Sequence, residues 1–168
     1  DNRVTVSGEV HLILADNASL TANGGINVAE NNSFSVYAQS VEKNMGTLTA
    51  TGGGHGAGIG GRNGDKNGSS CGNITIHGGS VAATGRVLAA GIGSGKGNGF
   101  DASGGKITIN GGNVTATSEA FAAGIGGGQE SSGGNITING GTVTATGGPD
   151  GAGIGSGSHG SYDTITIN

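Results

Sequence analysis

A repeated unit dominates the chain and constrains its fold more than any other feature. Each unit contains an Ile-Thr-Ile segment, a Gly-Gly pair and a Val-x-Ala-Thr segment, and an Ala-Gly-Ile-Gly element follows. The clearest units begin at Asn73, Lys106 and Asn135. The isoleucine of the Ala-Gly-Ile-Gly element recurs as Ile59, Ile92, Ile125 and Ile154, so the first two intervals are equal and the third is slightly shorter. Such a period is typical of a solenoid, in which each repeat forms one turn.

The pattern inside each unit predicts short strands. Ile-Thr-Ile and Val-Thr-Ala-Thr alternate with period two, as strands with one buried face do. Gly-Gly supplies a tight bend, and Ala-Gly-Ile-Gly supplies a third strand. We therefore predict an all-β, right-handed parallel β-helix with three short strands per turn and about five turns of 29–33 residues, the right hand following the rule for parallel crossovers. The predicted interior columns are Ile74, Ile107, Ile136 and Ile165, and Val81, Val114 and Val143.

The first third of the chain lacks the repeat motif but keeps short alternating segments between turn residues. Phe34 and Val36 take the places that Ile74 and Ile76 occupy one turn later. The sequence predicts one β-helix domain over 1–168, with divergent turns over 1–46 and repeat turns over 47–168. Neither end resembles a cap, so we expect a segment of a longer protein with a tendency to associate end to end. The exposed apolar ends would be Val4 and Val6 on one side, and Ile165 and Ile167 on the other.

Composition excludes several classes of protein. Glycine accounts for 41 of 168 residues but proline for only one, which excludes collagen. Seven scattered basic residues and a net charge of −4 predict no nucleic-acid partner. No run approaches the roughly 18 apolar residues of a transmembrane helix, so we expect no membrane insertion. Cys71 is the only cysteine and has no partner for an internal disulfide.

The pattern resembles a known group of proteins. Segments 4–14, 25–28 and 47–53, followed by the Ala-Gly-Ile-Gly and Gly-Gly-Asn-Ile-Thr-Ile-Asn-Gly-Gly units, are similar to glycine-rich repeat regions of secreted or wall-attached surface proteins of Gram-positive, often gut-dwelling, bacteria. Such proteins are described as adhesin-like or carbohydrate-binding. The resemblance implies a right-handed β-helix, an extracellular location at the bacterial cell surface, and a glycan or host-surface ligand. It implies no catalytic residue.

The candidate binding residues lie in the loops whose lengths vary between units, 61–72, 94–104, 127–134 and 156–163. These loops leave the same corner of each turn, so we expect them to line one edge of the rod. They combine aromatic rings with amides and charged groups, which is the chemistry of a sugar-binding surface. The candidates are Arg62, Asp65, Lys66, Lys96, Phe100, Asp101, Gln129, Glu130, His159, Tyr162 and Asp163. Simple loop solubility explains the same composition.

Two other functions compete with adhesion: a purely structural spacer, and ice binding by stacked Thr-x-Thr rows. Ala82 interrupts one of these rows, which argues against an ice-binding face. The rows contain Thr49 and Thr51, Thr84, Thr115 and Thr117, and Thr144 and Thr146, with a second set of Thr75, Thr108, Thr137 and Thr166.

We expect no cofactor, no metal site and no enzyme activity. Asp65, Asp101 and Asp163 carry the oxygen ligands that calcium prefers, but at different offsets from their turns. The eleven acidic residues are dispersed, whereas glycoside cleavage needs paired carboxylates. His11, His55 and His159 are isolated and are predicted to be solvated. The last position of each Ile-Thr-Ile-x bend is predicted to form an inward-facing ladder, through His77, Asn110, Asn139 and Asn168.

Overall fold

The computed structural model of the chain describes residues 2–64, 69–97, 102–161 and 164–168. In these residues the backbone forms a parallel β-solenoid of about five turns. Each full turn adds one strand to each of three sheets, which we call sheet 1, sheet 2 and sheet 3. The chain passes from sheet 2 to sheet 3 and then to sheet 1 before it begins the next turn. This is the predicted all-β architecture with three strands per turn.

Sheet 1 consists of very short strands that include the Ile-Gly of each Ala-Gly-Ile-Gly element. A Cβ on Gly93 would overlap the carbonyl oxygen of Gly126 in the next turn, so neighbouring backbones approach too closely for any other residue. The strands are β1 (Val4–Thr5), β4 (Ile26–Asn27), β7 (Ile59–Gly60), β10 (Ile92–Gly93), β14 (Ile125–Gly126) and β18 (Ile154–Gly155).

Sheets 2 and 3 carry the alternating segments, with aliphatic side chains inward and mostly polar side chains outward; Ile13 and Ala82 are outward exceptions. Sheet 2 contains β2 (Glu9–Leu14), β5 (Ser33–Ala38), β8 (Asn73–Ile76), β12 (Lys106–Ile109), β16 (Asn135–Ile138) and β19 (Ile165–Ile167). Sheet 3 contains β3 (Ser19–Ala22), β6 (Thr47–Thr51), β9 (Ser80–Gly85), β13 (Asn113–Ser118) and β17 (Thr142–Thr146). A separate pair, β11 (Ala102–Ser103) and β15 (Ser131–Ser132), lies in the variable loops.

The predicted interior columns are confirmed by the strand register. Ile74 pairs with Ile107, Ile107 with Ile136, and Ile136 with Ile165. Val81, Val114 and Val143 stack in the same way. Side chains in the middle turns are almost completely buried, and Ile107 has 0% exposure. Ile165 keeps the register but is 45% exposed, because no further turn packs on it in this chain.

The divergent turns continue the columns but vary in length. Phe34 pairs with Ile74 and Val36 with Ile76, as predicted. Glu9 pairs with Ser33, and Ser33 with Asn73, so along sheet 2 the first turn is shorter than the predicted range and the second is longer. The long turn contains both the 39–46 and the 61–72 loops, so strand pairing fixes the cross-section while loops absorb the difference. The right-handed sense stays a prediction.

The two ends differ from each other. Ile165, Ile167 and Val4 expose 45%, 67% and 51% of their surface, as expected for terminal turns. Val6 is only 4% exposed, and the prediction that it is exposed at this end is wrong. Its backbone N–H donates to the carbonyl of Asn27, and its side chain belongs to the apolar core.

Candidate functional site

The variable loops pack on one another along one edge of the rod. The N–H of Gly95 donates to Ser69, the N–H of Gly97 to Gln129, and the N–H of Glu130 to Ser158, each at 2.9 Å. These bonds join loops of successive turns through their backbones. The loops are therefore stacked as the sequence predicts.

The structure describes five of the predicted binding residues, all in these stacked loops. Arg62 and His159 are exposed, whereas Lys96, Gln129 and Glu130 are partly buried. The His159 ring lies 2.8 Å from the Ser158 hydroxyl, measured from Nδ1 to Oγ. The other six candidates lie outside the described residues: Asp65, Lys66, Phe100, Asp101, Tyr162 and Asp163. That the loop edge binds a ligand stays a prediction.

A second ordered surface is the outer face of sheet 2, where side chains form three rows along the rod. The first row is Glu9, Ser33, Asn73, Lys106 and Asn135. The second row is His11, Ser35, Thr75, Thr108, Thr137 and Thr166. The third row is Ile13, Tyr37, His77, Asn110, Asn139 and Asn168. Neighbouring positions in a row are about 4.8 Å apart, the spacing of paired strands.

The third row changes chemistry along its length. The rings of Tyr37 and His77 stack with centroids 4.4 Å apart and planes at 6°. Beyond them the amides form a ladder, in which Asn139 Nδ2 donates to Asn110 Oδ1 at 2.8 Å and Asn168 Nδ2 to Asn139 Oδ1 at 2.7 Å. The predicted ladder is confirmed, but its inward orientation is wrong. Side chains alternate between the two faces of a strand. The two isoleucines of each Ile-Thr-Ile-x segment point inward, so the last position points outward and is exposed.

The predictions for the single histidines are only partly correct. His11 is not isolated: its Nε2 lies 3.1 Å from Glu9 Oε1, and its ring stacks on Tyr37 at 5.7 Å. His55 is partly buried, and its Nδ1 atom has no hydrogen-bond partner in the part of the chain that the structure describes. The ring stack was within reach of the sequence, since aligning Phe34 and Val36 with Ile74 and Ile76 also places Tyr37 beside His77.

A shallow groove of about 240 Å³ lies between the first and second rows of sheet 2. The carboxylate of Glu9 lies at one end of the groove. The ammonium group of Lys106 lies three strands away, roughly 14 Å along the rod. Between them lie hydroxyls and one amide, and Asn73 Nδ2 donates to Ser33 Oγ at 3.4 Å. The lining residues are Glu9, Ser33, Ser35, Asn73, Thr75, Lys106 and Thr108.

Threonine rows cover the outer face of sheet 3 in the predicted register. Thr49 pairs with Ala82, Ala82 with Thr115, and Thr115 with Thr144. The next row is uninterrupted, through Thr51, Thr84, Thr117 and Thr146. The face is regular, with a gap in its hydroxyls at Ala82.

The described residues also bear on metal and membrane sites. Within residues 2–64, 69–97, 102–161 and 164–168, no three His, Cys, Asp or Glu side chains group together as a metal site would require. The same part of the chain contains no helix with the length and apolarity needed to traverse a bilayer.

Comparison with known families agrees with the architecture. A family model described as a beta helix repeat matches residues 44–65, 74–96, 107–129 and 136–158, more than half of the chain. The chain therefore belongs to this family of beta helix repeats. No curated protein and no solved structure matches it at a significant level.

Proposed function

We propose that this chain, as a beta helix repeat solenoid, is a non-enzymatic carbohydrate-binding module of a surface protein of Gram-positive bacteria, with an adhesive role outside the cell. The ligand is a polysaccharide that lies along the outer face of sheet 2. The observation that carries the proposal is the polar groove of about 240 Å³, which adjoins the row of stacked rings and amides.

The groove offers what sugar hydroxyls need. A hydroxyl group both donates and accepts, so it is best matched by side chains of mixed character. Ser33, Ser35, Thr75 and Thr108 supply hydroxyls, and Asn73 supplies an amide. Glu9 and Lys106 add a strong acceptor and a strong donor. These groups repeat at the strand spacing, so successive sugar units of an extended chain would meet similar partners.

The stacked rings would contact sugar through their edges. Tyr37 and His77 cover one another's faces at 4.4 Å, which leaves little ring face for a pyranose to stack on. Hydrogen bonds from the tyrosine hydroxyl and the imidazole nitrogens take that role instead. Binding of this kind depends on hydroxyl stereochemistry more than on apolar area.

The loop edge is the alternative surface on the same module. Lys96, Gln129 and Glu130 lie in loops joined by backbone hydrogen bonds, so their positions relative to one another are fixed. Fixed polar groups of mixed charge suit the same class of ligand.

A structural spacer is the second candidate function. The observation that favours it is the continuity of backbone pairing over six strands of sheet 2, reinforced by the exposed amide ladder. A rod built in this way projects other domains without binding anything itself. Ice binding by the sheet 3 rows is a weaker alternative because of Ala82, and we expect the purified domain to show no thermal hysteresis.

Screening the purified chain on an array of bacterial, plant and host polysaccharides tests the proposal. Calorimetry with the best ligand should then compare three variants. Thr75→Arg fills the groove and should weaken binding at least tenfold. Thr144→Arg makes the same change on sheet 3 and should leave binding unaltered. Gln129→Ala reports on the loop edge. If only Gln129→Ala lost binding, the binding site would lie on the loop edge and not in the sheet 2 groove. If the chain bound no glycan at all, the structural spacer would be the favoured function.

A further inference from the structure

A pocket of about 400 Å³ lies beside the first two strands of sheet 1, away from the sheet 2 groove. Its walls are Arg3, Thr5, Asn27 and Arg62. Arg3 and Thr5 belong to the first turn, Asn27 to the second strand of the sheet, and Arg62 to the loop that follows β7. Three turns therefore meet at this pocket.

Arg3 is held firmly by backbone carbonyls. Its Nη1 donates to Gly24 at 3.2 Å, and its Nη2 donates to Ile26 at 3.2 Å. The same Nη2 contacts the carbonyls of Gly60 and Gly61 at 3.1 and 3.2 Å. A Cβ on Gly56 would lie 2.5 Å from Nη1, so the neighbouring loop is shaped to admit the guanidinium. These hydrogen bonds fix the side chain in place through Nη1 and Nη2, and none of them involves Nε.

The pocket concentrates positive charge. Burial lowers the pKa of Arg3 to about 10, and the nearby charge of Arg62 acts in the same direction, but Arg3 remains protonated at neutral pH. Among the residues that the structure describes, no carboxylate lies within ion-pair distance of either guanidinium. Among the described residues, two like charges thus meet at this pocket without a carboxylate partner, in a chain whose net charge is −4. Such a pair is stabilised by an anion.

Two of the residues that line the pocket each have a buried polar atom that lacks a partner. Among the described residues, Arg3 Nε has no acceptor and Asn27 Oδ1 has no donor. Asn27 is only 6% exposed. A buried polar atom left unpaired destabilises the folded chain, so a group that satisfies both atoms would gain affinity from them. The walls therefore lack one acceptor and one donor.

We propose that this pocket binds an oxyanion that also carries a hydroxyl donor. The anionic oxygens pair with Arg62 and with Arg3 Nε, and the hydroxyl donates to Asn27 Oδ1. Since Nε and Oδ1 are closed to solvent, the side chains that cover them must move aside when the anion binds. A sugar acid, with a carboxylate and a neighbouring hydroxyl, has this chemistry, and so does hydrogen phosphate. The site is separate from the sheet 2 groove and does not depend on the function proposed for that groove.

Arginine side-chain NMR gives a direct test, because the chain contains three arginines and thus three Nε–Hε signals. Arg86 is the internal control, since it lies outside the pocket and pairs with Glu119 at 3.2 Å. The ¹⁵N-labelled chain is titrated with glucuronate, with inorganic phosphate, and with neutral glucose at matched ionic strength. Saturable shifts of Arg3 and Arg62, with Arg86 unmoved and no response to glucose, are the expected result.

Two variants identify the site. Arg62→Gln removes an exposed charge and should weaken anion binding at least tenfold, while Arg86→Gln should leave it unchanged. Asn27→Asp places a carboxylate within the pocket and should abolish binding through its own pairing with the arginines. Backbone spectra confirm that each variant is folded.

The three ligands separate the sources of the anion. Saturation by glucuronate alone assigns a sugar acid, and saturation by phosphate alone assigns an inorganic or esterified phosphate; either supports the proposal. Equal drift of all three arginine signals would be charge screening only and would overturn it. Unchanged affinity in folded Arg62→Gln would overturn it as well.

Discussion

The repeat turns over 47–168 and the divergent turns over 1–46 close the same three-sheet cross-section with different side chains. In the repeat turns one interior column is isoleucine throughout, but in the divergent turns Phe34 continues it at 4% exposure. On the outer face, the Asn110–Asn139 ladder of the repeat turns gives way to Tyr37. Backbone pairing thus accepts several side chains at one position, provided that inward positions stay apolar and outward positions can stack.

The two regions also differ in where the candidate binding features lie. The groove of sheet 2 begins at Glu9, the arginine pocket is built around Arg3, and the ring stack is centred on Tyr37. Each of these features lies in, or borders on, the divergent turns. The repeat turns add regular hydroxyl and amide rows, and they contribute Lys106 to the groove and Arg62 to the pocket. We therefore regard the later repeat turns as regular scaffold, and the region where the divergent turns meet the first repeat turns as the part where the candidate sites lie.

The largest effect is expected from breaking the apolar column of the scaffold. Ile136 is 1% exposed and packs between Ile107 and Ile165. Ile136→Asp buries an unpaired carboxylate, at a cost of several kcal/mol. That cost is comparable with the roughly 5–15 kcal/mol that stabilise an ordinary domain. Circular dichroism should show an unfolded chain, or one with a sharply lower midpoint in urea.

The matched control is the adjacent outward residue. Thr137→Asp introduces the same side chain on the solvent side of the same strand, and we expect a loss of no more than about 1 kcal/mol. If both substitutions destabilised the chain equally, the carboxylate would be disrupting the strand itself and not the packing of the interior column.

The next effect tests the close packing of sheet 1. Gly126 and Gly155 have similar φ angles, 126° and 134°, so alanine carries similar backbone strain at both positions. Only at Gly126 would the new Cβ overlap the carbonyl oxygen of the following turn. At Gly155 the nearest atoms are 3.5 and 3.7 Å away, which is ordinary contact. We expect Gly126→Ala to cost about 1–3 kcal/mol more than Gly155→Ala in urea unfolding. Similar losses would show that neighbouring turns separate easily.

The architecture was predictable because the repeat encodes it redundantly. Ile-Thr-Ile and Val-x-Ala-Thr recur with a fixed offset to Ala-Gly-Ile-Gly, so register, interior columns and loop positions follow from period and alternation. Errors arose where one residue departs from the period. Val6 precedes the first complete turn, and its burial depends on pairing with Asn27 in the following turn. Nothing local marks that contact.

The candidate site was only partly predictable. The stacking of the loops follows from their common corner, and five of the proposed residues lie there. The arginine pocket was missed because Arg3 and Arg62 are distant in the sequence, and only the two turns between them bring them together. A buried arginine bound to carbonyls leaves no signature in a glycine-rich sequence. The sheet 2 groove was missed because its Ser, Thr and Asn residues are also what any exposed strand would carry.

The third effect depends on pH and concerns the thiol that lies close to Arg3. Burial raises the pKa of Cys71 from 9.0 to about 12. Above pH 9 the unfolded chain loses this proton while the folded chain keeps it, so stability falls as pH rises, by up to about 1.4 kcal/mol per pH unit until about pH 12. Below pH 9 the thiol contributes no pH dependence.

Comparison with Cys71→Ala isolates this contribution from the tyrosines and lysines that titrate in the same range. Between pH 8 and pH 10.5 the original chain should lose about 2 kcal/mol more than the variant in urea unfolding. Parallel stability curves for the two proteins would mean that the thiol ionises in the folded state, and that Cys71 is more accessible than its 3% exposure indicates.

The smallest effect tests the exposed amide ladder, the feature that most clearly distinguishes the outer surface of the repeat turns. Asn139 takes part in two ladder hydrogen bonds and Asn168 in one, at the end of the row. A hydrogen bond contributes about 0.5–1.5 kcal/mol, and solvent exposure places these at the lower end. We therefore expect Asn139→Ala to lower the free energy of unfolding by about 1 kcal/mol and Asn168→Ala by about half as much. If Asn139→Ala left the free energy of unfolding unchanged, the ladder would result from strand pairing without stabilising it. The ring stack and the amide ladder would then differ in the groups that they present to a ligand and not in stability.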